Sequence, residues 1–124
     1  MRFLLDSNAF LWWRNGSRRL SARAAREIRD PANDVVVSIA TLWEIAIKRA
    51  LGKLQFLEDF EEVILSEGFT LLPIGYRHLR QLETLPQHHR DPFDRLLIAQ
   101  ALGEGIPVAT ADQEFAAYGV QLIW

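Results

Sequence analysis

The sequence contains no cysteine, which excludes disulfide bonds and thiolate metal sites and is consistent with a reducing compartment. It also has no apolar run long enough to cross a membrane. Within residues 1–20, Arg14, Arg18 and Arg19 stand where a secretory signal peptide would need a small-residue cleavage site. We therefore expect a cytoplasmic protein.

Charged residues are also few. They make up 24% of the chain, whereas 49% is hydrophobic, and neither a repeat nor a low-complexity segment occurs. This composition is typical of a folded protein rather than a disordered one. A chain of 124 residues can bury roughly two-thirds of its surface on folding. The expected organisation is one domain over residues 1–124.

The charges are unevenly distributed along the chain. The net charge of −2, taken for the whole chain, disfavours nucleic-acid binding. However, residues 14–29 contain six arginines and one acid, while residues 58–67 contain five acids and no base. The basic residues are predicted either to contact nucleic-acid phosphates or to form a solvated helix face, with nearly equal weight. They are Arg14, Arg18, Arg19, Arg23, Arg26 and Arg29.

Short apolar segments alternate with helical patterns along the whole chain. Strands are predicted at residues 3–5, 35–38, 70–74, 107–110 and 120–124. The first two are predicted to be buried, and Pro73 places the weaker third strand at a sheet edge or ends it. Helices are predicted at residues 9–13, 21–29, 39–51, 56–68, 76–85, 91–102 and 112–117. This alternation indicates an α/β fold with three layers, α/β/α, around a central and mostly parallel five-stranded sheet.

Four acids are predicted to meet at one edge of that sheet. Asp6 ends the first strand, and Glu44 lies on the helix that follows the second strand. Asp94 is in the first turn of the helix before the fourth strand, and Asp112 follows that strand. Because the carboxyl ends of parallel strands share one edge, where ligands bind in open α/β sheets, these side chains can converge there.

Helix capping offers a structural alternative for several of these acids. Asp6 and Asp112 could each cap the helix that follows. Asp91, directly before Pro92, is assigned outright as the N-cap of its helix. Asp94 then occupies the position of a capping-box partner, although that position prefers Glu or Gln. Capping alone would leave these acids without a chemical role.

The surroundings of Glu44 and Asp94 favour a metal site. Glu44 could pair with Lys48 at i, i+4, but it lies among apolar residues where an unpaired charge would be costly. Asp94 shares a helix face with core residues. Crowded carboxylates repel one another unless a cation neutralises them, and hard oxygen ligands suit Mg²⁺ or Mn²⁺. Such a site is suited to phosphodiester chemistry.

Five segments together resemble the PIN-domain ribonucleases, and within them the VapC toxins of bacterial toxin–antitoxin pairs. The likeness extends from the first strand to the closing Ile123-Trp124. The segments are Leu4-Leu5-Asp6-Ser7-Asn8-Ala9, Leu42-Trp43-Glu44-Ile45-Ala46-Ile47-Lys48, Leu51-Gly52-Lys53-Leu54, His88-His89-Arg90-Asp91-Pro92-Phe93-Asp94-Arg95-Leu96-Leu97-Ile98-Ala99-Gln100-Ala101 and Thr110-Ala111-Asp112-Gln113-Glu114-Phe115.

The resemblance implies a Mg²⁺-dependent endoribonuclease, usually a homodimer, held inactive by a cognate antitoxin that also binds operator DNA. The metal-site and catalytic acids of the family correspond to Asp6, Glu44, Asp94 and Asp112. The small hydroxyl residue after the first acid corresponds to Ser7. Relatives often have Thr-His where this chain has Ser7-Asn8, so any role of that histidine is absent here or falls to Asn8.

Two loop histidines, His88 and His89, are left without an assigned role, because a loop histidine is more often solvated than a ligand. The large apolar surface of Trp12, Trp13 and Trp43 supports the expectation of a dimer.

Three other functions compete with this interpretation. A haloacid dehalogenase-type phosphatase needs a second acid two residues after the first, and this chain has Asn8 there. A receiver domain needs a phosphoacceptor aspartate after a middle strand and a lysine after a late strand. The third strand here ends at Pro73-Ile74, and no lysine follows Lys53. A non-cleaving PIN scaffold that binds RNA or a protein partner remains the main alternative.

Overall fold

The computed structural model describes residues 1–124 and has five strands and seven helices. The strands are β1 (Arg2–Leu5), β2 (Asp34–Ser38), β3 (Thr70–Leu72), β4 (Val108–Ala109) and β5 (Leu122–Ile123). The helices are α1 (Ser7–Asn15), α2 (Ala22–Arg29), α3 (Ile39–Ala50), α4 (Phe60–Glu67), α5 (Tyr76–Thr84), α6 (Pro92–Glu104) and a 3₁₀ helix (Gln113–Tyr118).

The strands form one sheet in the order β3-β2-β1-β4-β5, and every neighbouring pair is parallel. On the central strand, Leu4 lies opposite Val36 of β2 and Val108 of β4. β3 is an edge strand that Pro73 follows directly, as predicted. The α/β prediction is confirmed. We call the edge where the strands end the carboxyl edge and the opposite one the amino edge.

Both faces of the sheet are covered by helices, which gives the three layers. Phe3 and Leu5 of β1 point to one face, where they pack with Phe10 of α1. Leu4 points to the other face, where it packs with Ile98 of α6. Burying each such side chain contributes roughly 1.5–3 kcal/mol, so the central strands are apolar on both faces.

Local capping signals set most helix ends where the sequence predicts them. The Ser21 hydroxyl accepts a hydrogen bond from the Ala24 N–H and caps α2. Asp91 caps α6, which begins at Pro92 and ends before Gly105, where a left-handed φ of 66° stops the helix. None of the helices is long and apolar enough to span a membrane.

Two predicted helix starts are wrong. α4 begins at Phe60 rather than at residue 56, because the Asp59 carboxylate caps it by accepting from the Glu62 N–H. Phe56 instead lies in the core beside Phe10, with ring centroids 5.9 Å apart. α1 begins at Ser7 rather than at residue 9, because Asp6 is its cap.

Candidate metal centre

One polar pocket lies at the carboxyl edge. It has a volume of about 170 Å³ and no hydrophobic lining residue. Asp6, Ser7, Asn8, Glu44, Lys48, Asp91, Asp94 and Asp112 line it. The four predicted acids, from four separate segments of the chain, are thus brought together as the parallel topology implies.

Asp6 combines the capping role with a place in the pocket. Its Oδ1 accepts a hydrogen bond of 2.8 Å from the Ala9 N–H, and its Oδ2 accepts one of 2.6 Å from the Thr110 hydroxyl. The side chain is buried at the end of β1. Capping and pocket lining are therefore compatible for this residue, and Thr110 is a partner that the sequence did not indicate.

Glu44 is buried on α3 and held by two neighbours. Its Oε1 accepts a hydrogen bond of 2.7 Å from the Ser7 hydroxyl. Its Oε2 lies 2.7 Å from Lys48 Nζ, so the i, i+4 pair exists. Since Lys48 is 51% exposed, it offsets only part of the charge in the pocket. Ser7 thus contacts Glu44, an acid on a different helix.

Asp94 and Asp91 differ although both lie at the start of α6. Asp91 Oδ1 accepts from the N–H groups of Phe93 and Asp94, so its capping role is confirmed. The Asp91 N–H donates to His89 Nδ1 at 3.2 Å and not to Asp94. The capping-box alternative for Asp94 is therefore wrong, and its carboxylate is free to face the pocket.

Asp112 caps the 3₁₀ helix and also faces the pocket. Its Oδ1 accepts from the Glu114 N–H at 2.9 Å. Its N–H donates to the Thr110 hydroxyl at 3.0 Å, which joins it to the residue that holds Asp6. Its Oδ2 lies 3.0 Å from His89 Nε2.

His89 also contacts the acids of the site, although it was not assigned from the sequence. Its Nε2 lies 3.2 Å from Asp94 Oδ2 and 3.5 Å from Glu114 Oε2, in addition to the contact with Asp112. His89, Asp112 and Glu114 form a group that could hold a metal ion. The sequence signal was the position of His89 five residues before Asp94. The neighbouring His88 lies instead against the Tyr118 ring, with centroids 5.1 Å apart.

The electrostatics indicate a deficit of positive charge in the pocket. Burial, assisted by the charges of Asp112 and Glu44, raises the pKa of Asp6 from 3.8 to about 6 against the hydrogen bonds that lower it. Burial and the charge of Asp91 raise the pKa of Asp94 from 3.8 to about 7. The pKa values of these carboxyl groups are raised because the anionic form is disfavoured in the pocket. A divalent cation bound there would stabilise the anionic form.

The same field acts on His89. Burial lowers its pKa, but the hydrogen bond with Asp112 and the charges of Asp94 and Glu114 outweigh burial, so the pKa is raised. The negative charge of the pocket therefore favours the protonated form of His89 as well as the protonated forms of Asp6 and Asp94.

None of the six predicted basic residues lines the pocket. Arg14 forms ion pairs with Glu58 and, at 2.5 Å, with Glu67, so its charge is already balanced. Arg29 lies beside Val35 and Phe69 at the amino edge, away from the four predicted acids at the carboxyl edge. The other four are exposed and form no salt bridge: Arg18, Arg19, Arg23 and Arg26.

The three tryptophans named for dimerisation have different environments. Trp12 packs against Trp124 with ring centroids 5.9 Å apart. Trp13 donates a hydrogen bond from Nε1 to Glu67 at 2.7 Å. Trp43, next to Glu44, is 53% exposed and meets Phe93 edge-on at 4.9 Å. Trp43 is thus the one that presents a large apolar surface.

Comparisons with known proteins agree with this architecture. A family model described as PIN domain matches residues 3–121. Ribonuclease VapC22 of Mycobacterium tuberculosis is 27% identical over 122 residues, which cover 93% of this chain and 90% of that protein.

Two solved structures illustrate the similarity of fold. One is VapBC2 from Rickettsia felis bound to a DNA fragment from their promoter, with a TM-score of 0.68 and 14% identity, covering 98% of this chain and 97% of that chain. The other is VapBC-1 from nontypeable Haemophilus influenzae, with a TM-score of 0.66 and 20% identity, covering 98% and 96%.

Proposed function

Because this chain belongs to the PIN domain family, we propose that it is a metal-dependent endoribonuclease, a VapC-like toxin that hydrolyses RNA phosphodiester bonds. The observation that carries the proposal is the convergence of five carboxylates, four of them predicted, from four segments into one pocket with a single lysine. Ribonuclease VapC22, similar over nearly the whole chain, supports RNA as the substrate.

The donor set fits Mg²⁺ or Mn²⁺. All four acids supply hard carboxylate oxygens, and no thiol is available. The raised pKa values of Asp6 and Asp94 reflect a pocket in which anionic oxygens lack a counter-charge. Asp6, Glu44, Asp94 and Asp112 are the residues that would hold the ion.

A bound divalent ion would polarise the phosphoryl oxygen, lower the pKa of a bound water and neutralise the leaving oxygen. The chain itself supplies the orientation of the acids. The Thr110 hydroxyl holds Asp6, and the Ser7 hydroxyl holds Glu44, so neither carboxylate needs to reorganise when the ion enters. The Lys48 ammonium group limits repulsion beside Glu44.

The partners follow from the same proposal. A cognate antitoxin would neutralise the toxin in the cytoplasm, and operator DNA would be bound only through that antitoxin. The similarity to the VapBC complexes supports an antitoxin partner. The exposed Trp43 surface supports a homodimer, which sedimentation at micromolar concentration would test.

Cleavage of total RNA, followed on a gel with Mg²⁺ and with EDTA, tests the proposed activity. We expect fragments that appear with Mg²⁺ and disappear with EDTA. RNA that binds but stays intact under both conditions would favour the non-cleaving PIN scaffold.

A further inference from the structure

The loop that carries His89 is fixed by residues distant in sequence. The Tyr118 hydroxyl accepts hydrogen bonds from the His88 and His89 N–H groups at 3.0 and 2.7 Å. The Arg95 guanidinium donates to the carbonyls of Leu85 and Pro86, and also contacts Tyr118. These contacts hold the loop backbone between α5 and α6 in one conformation.

The His89 ring is fixed as well. Its side chain is 12% exposed, and the ring packs edge-on against Phe115 with centroids 6.2 Å apart. The Asp91 N–H donates to Nδ1, so Nδ1 acts as an acceptor and cannot carry the ring proton in this bond. The proton of the neutral ring is therefore on Nε2, which faces the acids.

This Nε2–H connects two acids of the pocket. It donates to Asp112 Oδ2 at 3.0 Å, and Asp94 Oδ2 is 3.2 Å away. His89 is the only donor in contact with the Asp94 carboxylate, whereas Asp6 and Glu44 each have two partners. A carboxylate has about four lone-pair sites, so accepting from His89 leaves Asp112 able to bind a cation, and Asp94, which accepts no hydrogen bond, is able to do so as well.

We propose that His89 is a positioning residue of the metal centre, one that orients Asp112 for the cation by donating from Nε2 and holds the Asp94 carboxylate beside it through the charge contact of the same nitrogen. This inference rests on the proposed metal-dependent function. His89 is not assigned as a ligand, because coordination through Nε2 would require that nitrogen to lose its proton and Nδ1 to carry one opposite the Asp91 N–H.

Calorimetric titration of the metal-free protein with Mg²⁺ alone tests this role without an activity assay. We expect His89→Leu to weaken Mg²⁺ binding by about 10–100-fold, as removal of a partner that orients metal ligands does. His89→Gln, which places an amide N–H near the position of Nε2, should retain most of the affinity. His88→Leu is the matched control and should bind as the parent does, since His88 contacts no acid of the pocket.

Two further measurements accompany the titration. Thermal unfolding in EDTA reports whether each variant is folded. Long-range ¹H–¹⁵N NMR correlations of the imidazole in the metal-free parent should show the Nε2–H tautomer. If His89→Leu fails to fold, the rescue by His89→Gln and the observed tautomer still decide the proposal.

Three results would overturn it: parent-like Mg²⁺ affinity in folded His89→Leu, no rescue in His89→Gln, or the Nδ1–H tautomer. In each of these cases a parent protein that binds Mg²⁺ leaves the proposed function intact. A parent that binds no Mg²⁺ would instead refute the metal-dependent function, and the role of His89 with it.

Discussion

The two edges of the sheet handle buried acids in opposite ways. At the amino edge, Glu104 is 6% exposed and contacts Arg2, Arg77 and, at 3.1 Å, His78. Burial alone would raise its pKa, but the hydrogen bonds from His78 and Arg2 and the charge of Arg77 lower it below the usual value. The buried acid at this edge is thus surrounded by bases.

At the carboxyl edge, Asp94 is 25% exposed and yet has its pKa raised to about 7. The only basic side chain that contacts Asp94 is His89. The one lysine of the pocket, Lys48, pairs instead with Glu44. Acids that fold without counter-charges destabilise the native state. The paired charges at the amino edge can therefore be explained by their contribution to stability. The unpaired acids at the carboxyl edge reduce stability, so their presence indicates a functional role.

Removing one acid from the carboxyl edge should have the largest effect. We expect Asp94→Asn to reduce RNA cleavage by at least about 100-fold and to abolish stabilisation by Mg²⁺, because the variant lacks one of the proposed metal ligands. In EDTA the variant should be as stable as the parent or more so, since a repelling charge is gone. Gel cleavage and thermal unfolding with and without Mg²⁺ measure these effects.

Asp91→Asn is the control for that experiment. Asparagine caps a helix as well as aspartate does, so the fold should be kept. Because Asp91 adds charge to the pocket but its Oδ1 is engaged in the cap, cleavage and Mg²⁺ stabilisation should change far less than in Asp94→Asn. Near-parent cleavage by Asp94→Asn would contradict the proposed nuclease site.

The pH dependence of stability should separate the two edges. For Asp6 and Asp94 the folded pKa values, about 6 and about 7, exceed 3.8, so their ionisation costs stability as pH rises through these values. In EDTA we expect the free energy of unfolding to fall by a few kcal/mol between about pH 4, where these acids ionise in the unfolded chain, and about pH 7, the higher of the two folded pKa values. Denaturant titrations at several pH values measure it.

Glu104 should produce the opposite trend in acid, because its lowered pKa adds stability that disappears as pH falls below about 4.5. Asp94→Asn should reduce the fall in the free energy of unfolding between about pH 4 and 7. Glu104→Gln should reduce the loss of stability below about pH 4.5. An EDTA profile that rises from pH 5 to 7 would refute the uncompensated charge at the carboxyl edge.

At the amino edge, Glu104→Gln should lower stability by about 1–3 kcal/mol, because Arg2 and His78 no longer have a charged acceptor. The folded variant should cleave RNA at the parent rate, since Glu104 lies at the other edge. Chemical denaturation and the gel assay test both parts, and a cleavage defect in the folded variant would contradict the division between the edges.

The smallest expected effect concerns the exposed arginines. Neutralising Arg23 and Arg26 together should lower the slope of log K for RNA against log salt by about 0.7 for each RNA phosphate that is no longer neutralised. Arg14→Gln is the comparison, because Arg14 is already paired with Glu58 and Glu67 and should affect stability more than RNA binding. Equal salt slopes for parent and double variant would favour a solvated helix face.

The sequence was sufficient for the parts of the fold that depend on local patterns. The apolar run before Asp6 predicts a strand buried on both faces, and Asp91-Pro92 predicts the start of α6. The alternation of strands and helices then implies the shared edge at which the acids meet. The misplaced start of α4 arose because Phe56 and Phe60 are both apolar, while the cap at Asp59 decides the boundary.

Only the tertiary structure decided which polar groups face the acids. His88 and His89 are adjacent and chemically identical, and the choice between them depends on Tyr118, about thirty residues away, holding their N–H groups. From the sequence, Arg14 was a candidate for contacting RNA phosphates, but the fold places Glu67 beside it and the two form an ion pair. Local pattern sets secondary structure because backbone capping and burial act within a few residues, whereas loop side chains take their direction from distant contacts that no local pattern encodes.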